Sequence, residues 1–93
     1  MPEIKLTIHH EAGLHARPLA QFVKVAKQFP CDVRVSNLTS GGGPSNGKSP
    51  LDLLLLGVQM GHEISVQAEG ERAEEALAAL QRLVDGNFSQ DGS

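Results

Sequence analysis

The chain has 93 residues, 40% of them hydrophobic, with one cysteine, no tryptophan or tyrosine, three phenylalanines and a formal net charge of −3. That length makes one small domain with a modest core and leaves no room for a second. The acidic balance and the near absence of stacking side chains argue against a nucleic-acid binder, and the lone Cys31 cannot form an internal disulfide, so it reads as a small buried hydrophobe in a reducing compartment.

Met-Pro-Glu-Ile-Lys leads straight into a strand pattern without a leader, and no stretch approaches a membrane span, so a soluble, cytoplasmic protein is expected. Ile4, Leu6 and Ile8 alternate with Lys5, Thr7 and His9, the period-2 signature of a first strand with one buried face. A polar loop over residues 10–14 follows, with Gly13 supplying backbone freedom. His9, His10 and His15 raise the question of a metal site. No cysteine or carboxylate array completes a ligand set, and His9 alternates to solvent, so no metal is expected.

Leu19, Phe22, Val23, Ala26 and Phe29 fall at helical spacing, with Gln21, Lys24, Lys27 and Gln28 opposite, which predicts a helix from about Ala16 to Gln28 closed by Pro30. The unpaired N–H groups of such a start form an anion site, and His15 stands where a phosphate would be welcome. Pro18 is tolerated in a first turn because its missing N–H has no intrahelical partner there. Taken alone, the same residues also read as a solvated histidine, a surface arginine and a first-turn proline. Arg17, Lys24 and Lys27 give the helix a positive rim, which is either solubilising charge or a face for an acidic partner, where it would act on encounter rate more than on affinity.

Cys31, Val33 and Val35 alternate with Asp32, Arg34 and Ser36, a second strand ending near Asn37. Residues 39–47, Thr-Ser-Gly-Gly-Gly-Pro-Ser-Asn-Gly, read as a flexible loop, so a third strand is expected to be short and bulged if it forms at all. Gly42 and Gly47-Lys48-Ser49 have the spacing of a nucleotide phosphate loop. Pro50 and the size of the chain leave no nucleotide-binding domain around them. Ser49, Pro50 and Asp52 make a good helix start, for a short helix from Pro50 to about Leu56 ended by Gly57. Its five leucines exceed what one buried face of so short an element can use, so some are expected to be exposed.

Ile64, Val66 and Ala68 mark the last strand, and after Gly70 the residues Ala73, Ala76, Leu77, Leu80, Leu83 and Val84 mark one face of a last helix, which Gly86 stops. The domain is expected over residues 1–86, with 87–93 a frayed tail. The fold class is α+β: an antiparallel sheet of three to four strands with three helices on one face. Lys5, Thr7, Arg34, Ser36, Glu63, Ser65 and Gln67 would lie on the solvated opposite face.

The stretch Gly13-Leu14-His15-Ala16-Arg17-Pro18 closely resembles the active-site motif of the HPr family, the histidine phosphocarriers of the bacterial phosphoenolpyruvate-dependent phosphotransferase system. Asn46-Gly47-Lys48-Ser49, Leu56-Gly57 and Ala68-Glu69-Gly70 fall where that family has similar features, so the resemblance covers about residues 3–85. The glycine-rich loop, a few residues longer than usual, and Pro50 depart from the pattern.

The resemblance implies an open-faced β-sandwich and a carrier that works through a transient phosphohistidine, without a cofactor, rather than as a stand-alone enzyme. His15 would accept a phosphoryl group from phosphorylated enzyme I and pass it to a downstream sugar-permease component. The ring nitrogen nearer the backbone would be the one phosphorylated, with the phosphate over the N–H groups of Ala16 and Arg17 and the Arg17 guanidinium neutralising an oxygen. Leu51 and Leu54, with Ala20, Lys24 and Lys27, are the expected partner-binding residues, and a monomer is the expected state. Ser49 aligns with a serine that a kinase/phosphorylase modifies in some members, although helix capping alone also accounts for it. The alternatives are a carrier of the same kind serving a nitrogen-regulatory relay or a dihydroxyacetone kinase, and a regulatory binding domain on the same fold.

Overall fold

Alternating apolar residues in four segments build one sheet. The computed structural model describes residues 2–88. In chain order the elements are β1 (Glu3–Thr7), α1 (Ala16–Ala26), β2 (Asp32–Asn37), β3 (Ser45–Asn46), α2 (Pro50–Leu56), β4 (Glu63–Glu69) and α3 (Ala73–Asp85). The sheet has the order β1-β4-β2-β3, and every neighbouring pair is antiparallel. Ile4 faces Val66 across one ladder and Val35 faces Val66 across the next, so β4 is the hub of the sheet.

Helices α1 and α3 bury the apolar stripes their spacing predicts, Leu19, Phe22, Val23 and Ala26 on one and Ala73, Ala76, Leu77, Leu80, Leu83 and Val84 on the other. They pack on each other, and α3 also packs on β1 and β4, while α2 lies against α1, β2 and β3. Phe22, Leu14, Leu53, Ile64 and Leu80 are fully enclosed between the layers. This is the α+β open-faced sandwich expected from the chain.

Several local expectations change. Helix α1 ends at Ala26 rather than Gln28, because the last N–H groups, of Gln28 and Phe29, turn to the carbonyls of Val25 and Ala26 three residues back as the chain tightens toward Pro30. The third strand does form, as two residues: Asn46 opposite Arg34 and Ser45 opposite Val35. The glycine-rich loop before it is tied rather than slack. Buried Asn37 accepts the N–H groups of Thr39 and Ser40 on Oδ1, both at 3.0 Å, and its own N–H donates to the Gly42 carbonyl at 2.8 Å. Lys48 donates from Nζ to the Phe29 carbonyl at 2.6 Å, so it pins the turn that follows α1 and does not line a phosphate cradle.

Ser65, expected on the solvated face, is buried. It sits on a strand flanked on both sides, and its hydroxyl donates to the Glu3 carboxylate, a bond that holds that carboxyl below its usual range. The tail expected to fray from Asn87 is held as far as Phe88. The Phe88 side chain is buried, its N–H donates to the Leu83 carbonyl at 2.9 Å, and Asn87 N–H donates to Val84 at 2.8 Å, since an aromatic ring at the helix exit gains more from burial than the last turn loses in freedom. Residues 89–93 of that expected tail lie outside the described residues. Among the described residues no helix is long and apolar enough to cross a membrane.

Candidate functional site

The segment between β1 and α1 delivers His15 to the start of α1. Gly13 takes a left-handed conformation at φ +62 and presses its backbone onto the next crossing segment: a Cβ there would stand 2.4 Å from the Val58 carbonyl oxygen. Leu14 N–H donates to that same oxygen at 3.0 Å, and the Leu14 side chain is wholly buried. The exit from α2 at Gly57 and Val58 therefore lies directly beneath the His15 loop.

His15 is the N-cap of α1, in extended conformation, and its side chain does not cap the helix. Its carbonyl accepts the first helical bond from Leu19 at 3.4 Å. Ala16 follows with φ +52, a left-handed conformation that costs an L-residue roughly 1–2 kcal/mol. The Ala16 and Arg17 N–H groups are left without a side-chain cap at the positive end of the helix, and Pro18, buried, has no N–H to offer. Arg17 is exposed, and among the described residues the one salt bridge is Arg72 to Glu75, so the Arg17 guanidinium is available to an incoming anion.

The His15 ring is half-buried and its Nδ1 lies 3.1 Å from the Ala12 carbonyl oxygen. A carbonyl oxygen only accepts, so Nδ1 carries the proton and the lone pair is on Nε2. The resting ring thus presents Nε2 outward. The resemblance names Nδ1 as the phosphorylated nitrogen, and for that nitrogen to attack the ring must first leave Ala12 and shift its proton.

Around this centre the other expected residues fall on two faces. Ala20, Lys24 and Lys27 are exposed along α1. On α2, Leu53 and Leu56 are buried, whereas Leu51 and Leu54 remain 62% and 47% exposed. Leu55 and Met60, which sequence reasoning did not single out, are also exposed, by 75% and 60%. The run of four leucines was the available signal for Leu55, and for Met60 there was none. Ser49 caps α2 as its sequence predicts: its hydroxyl accepts from Asp52 N–H at 3.3 Å, with Pro50 in the first turn and Gly57 closing the helix in the left-handed region. Among the described residues no group of three or more His, Cys, Asp or Glu side chains could hold a metal ion.

A family model described as "PTS HPr component phosphorylation site" matches residues 2–85. The chain is 39% identical to the phosphocarrier protein HPr of Pseudomonas aeruginosa, with 97% of this chain and 98% of that protein covered. It is also 42% identical to a multiphosphoryl transfer protein of Salmonella typhimurium, over 82% of this chain but only 20% of that much longer protein, so it spans about a fifth of such relatives. Among solved structures, HPr-C-His from Thermoanaerobacter tengcongensis superposes with a TM-score of 0.90 at 35% identity, with 98% of this chain and 99% of that one covered.

Proposed function

The chain belongs to the HPr family, and from that premise we propose that it carries a phosphoryl group on His15, taken from phosphorylated enzyme I and passed to a downstream sugar-permease component. The observation that carries this reading is the construction of the α1 start. An imidazole, two uncapped N–H groups and an unpaired guanidinium share one exposed helix end. In the transfer the lone pair of a His15 ring nitrogen forms the N–P bond, and the bond from phosphorus to the donor breaks with its electron pair returning to the donor. The phosphoryl oxygens then lie beside the Ala16 and Arg17 N–H groups and the Arg17 guanidinium, where positioning and electrostatics do most of the catalytic work. The few, solvent-facing ligands suit a carrier, which must release what it accepts.

In this reading Leu51 and Leu54 form the apolar centre of the docking face for enzyme I and for the acceptor domain, and Ala20, Lys24 and Lys27 form its polar flank. Ser49 is the candidate for a regulatory kinase, since phosphate at a helix start is electrostatically favoured and would set a new charge beside that face. The protein would act in the cytoplasm as a monomer. Incubation with phosphoenolpyruvate and enzyme I should add one acid-labile phosphoryl group, read by intact mass at neutral pH, and His15→Ala should abolish it. Labelling that persists in His15→Ala, or no labelling of the wild type by a cognate enzyme I, would overturn the reading.

A further inference from the structure

The turn leading to α1 runs between two imidazoles. Ala12 N–H donates to His10 Nδ1 at 3.0 Å, Gly13 N–H donates to the His10 carbonyl at 2.8 Å, and the Ala12 carbonyl accepts from His15 Nδ1 at 3.1 Å. The planar Ala12–Gly13 peptide, which carries the Ala12 carbonyl, is held at its N–H by the His10 carbonyl, and the peptide before it is held at the Ala12 N–H by the His10 ring. Ala12 has no polar side chain of its own, so His10, through its main chain and its ring together, sets how the Ala12 carbonyl meets His15. The His10 ring is itself half-buried, and the Phe88 ring meets it edge-on, with centroids 6.0 Å apart and planes at 83°.

We propose that His10 is a positioning residue that, through Ala12, latches His15 in its discharged state, with the proton on Nδ1. The argument is one of valence. His10 accepts on Nδ1, so its own proton is on Nε2, while His15 donates from Nδ1 and has its lone pair on Nε2. A phosphoryl group on Nδ1 leaves that nitrogen no hydrogen to donate, so charging breaks the latch and discharge restores it. The latch stabilises only the discharged form, and the carrier therefore gives up its phosphoryl group more readily. This last step rests on the phosphocarrier reading, whereas the coupling of the two rings does not.

The test uses the whole chain, labelled with 15N, as wild type, His10→Ala and His10→Asn. At a pH where the rings are neutral, the ring nitrogen shifts of His15 report which nitrogen holds the proton. The wild type should favour the Nδ1–H tautomer, and His10→Ala should shift the ratio toward Nε2–H by roughly twofold to tenfold, the worth of one hydrogen bond. His10→Asn should restore it, because an amide oxygen can accept an N–H two residues on in an Asx turn. A tautomer ratio unchanged in His10→Ala, or not restored by His10→Asn, would overturn the proposal.

Phe88→Leu removes the ring contact and keeps the acceptor, so it should leave the ratio at the wild-type value; a shift there would assign the effect to packing and also overturn it. With enzyme I and phosphoenolpyruvate, the equilibrium between donor and carrier should move toward phosphorylated carrier in His10→Ala, by no more than the change in the tautomer ratio because the unlatched tautomer is present in both proteins. An equal equilibrium in both proteins would refute the role in transfer. A wild type that accepts no phosphoryl group would refute the carrier reading alone, because the nitrogen shifts decide the latch without it.

Discussion

Replacing Gly13 by alanine tests whether the His15 loop is held by its close approach to Val58. Two costs add. The φ of +62 places an L-residue in the left-handed region, at roughly 1–2 kcal/mol. The new Cβ would also stand 2.4 Å from the Val58 oxygen and 2.9 Å from the Gln59 Cα, both backbone atoms, so the loop must lift, which stretches or breaks the 3.0 Å bond from Leu14 N–H at about 1 kcal/mol. The sum is about 2–3 kcal/mol, which for a domain of this size lowers Tm by roughly 10–20 °C. Gly57→Ala is the matched control: its φ is +71, and a Cβ there meets nothing within 4 Å, so only the same conformational cost of roughly 1–2 kcal/mol remains. Urea denaturation of both variants, with the slope m compared, measures the difference. Equal losses in the two would show that the Val58 contact does not fix the loop.

Arg17→Ala should slow phosphoryl transfer in rapid-quench measurements and leave Tm almost unchanged, since an exposed charge without a partner contributes little to folding; wild-type rates would reduce Arg17 to surface charge. Leu51→Glu should weaken enzyme I binding by calorimetry with stability intact, because the side chain is already 62% exposed; a collapse of the melt would place it in the core instead. Ser49→Ala should cost about 1 kcal/mol as the α2 cap is lost. Ser49→Asp should keep that stability and slow transfer from enzyme I if the site is regulatory, while a wild-type rate in this variant would leave capping as its only role.

The architecture was legible wherever the hydrophobic period ran for more than a few residues. The stripes of α1 and α3 and the alternation in β1, β2 and β4 each announced one buried face, and Ser49-Pro50 with Gly57 bracketed α2 from both ends. What escaped notice depends on contacts between segments distant in the chain. Ser65 is buried because a neighbouring strand supplies Glu3, Phe88 because it returns to the turn at His10, and the glycine loop is ordered by Asn37 from outside it. At the site, motif and helix-start chemistry pointed to His15 and Arg17, but no local pattern marks His10. A histidine that accepts the N–H two residues later resembles an Asx turn made without Asn or Asp, and it becomes visible only when its ring is placed.

The position of β4 in the sheet also governs when this chain can fold. Its two long ladders run to β1 and to β2, which are not neighbours of each other, so Ile4 finds its partner only at Val66, close to the far end of the polypeptide. A nascent chain that has emerged as far as α2 can form helices and the two-residue pairing of β2 with β3, but it has no sheet on which to lay them. Such late closure of distant partners raises the contact order and slows folding. A ribosome that stalls before residue 69 would release a chain whose apolar strands have no partner, a species prone to aggregate rather than to act as a partial carrier.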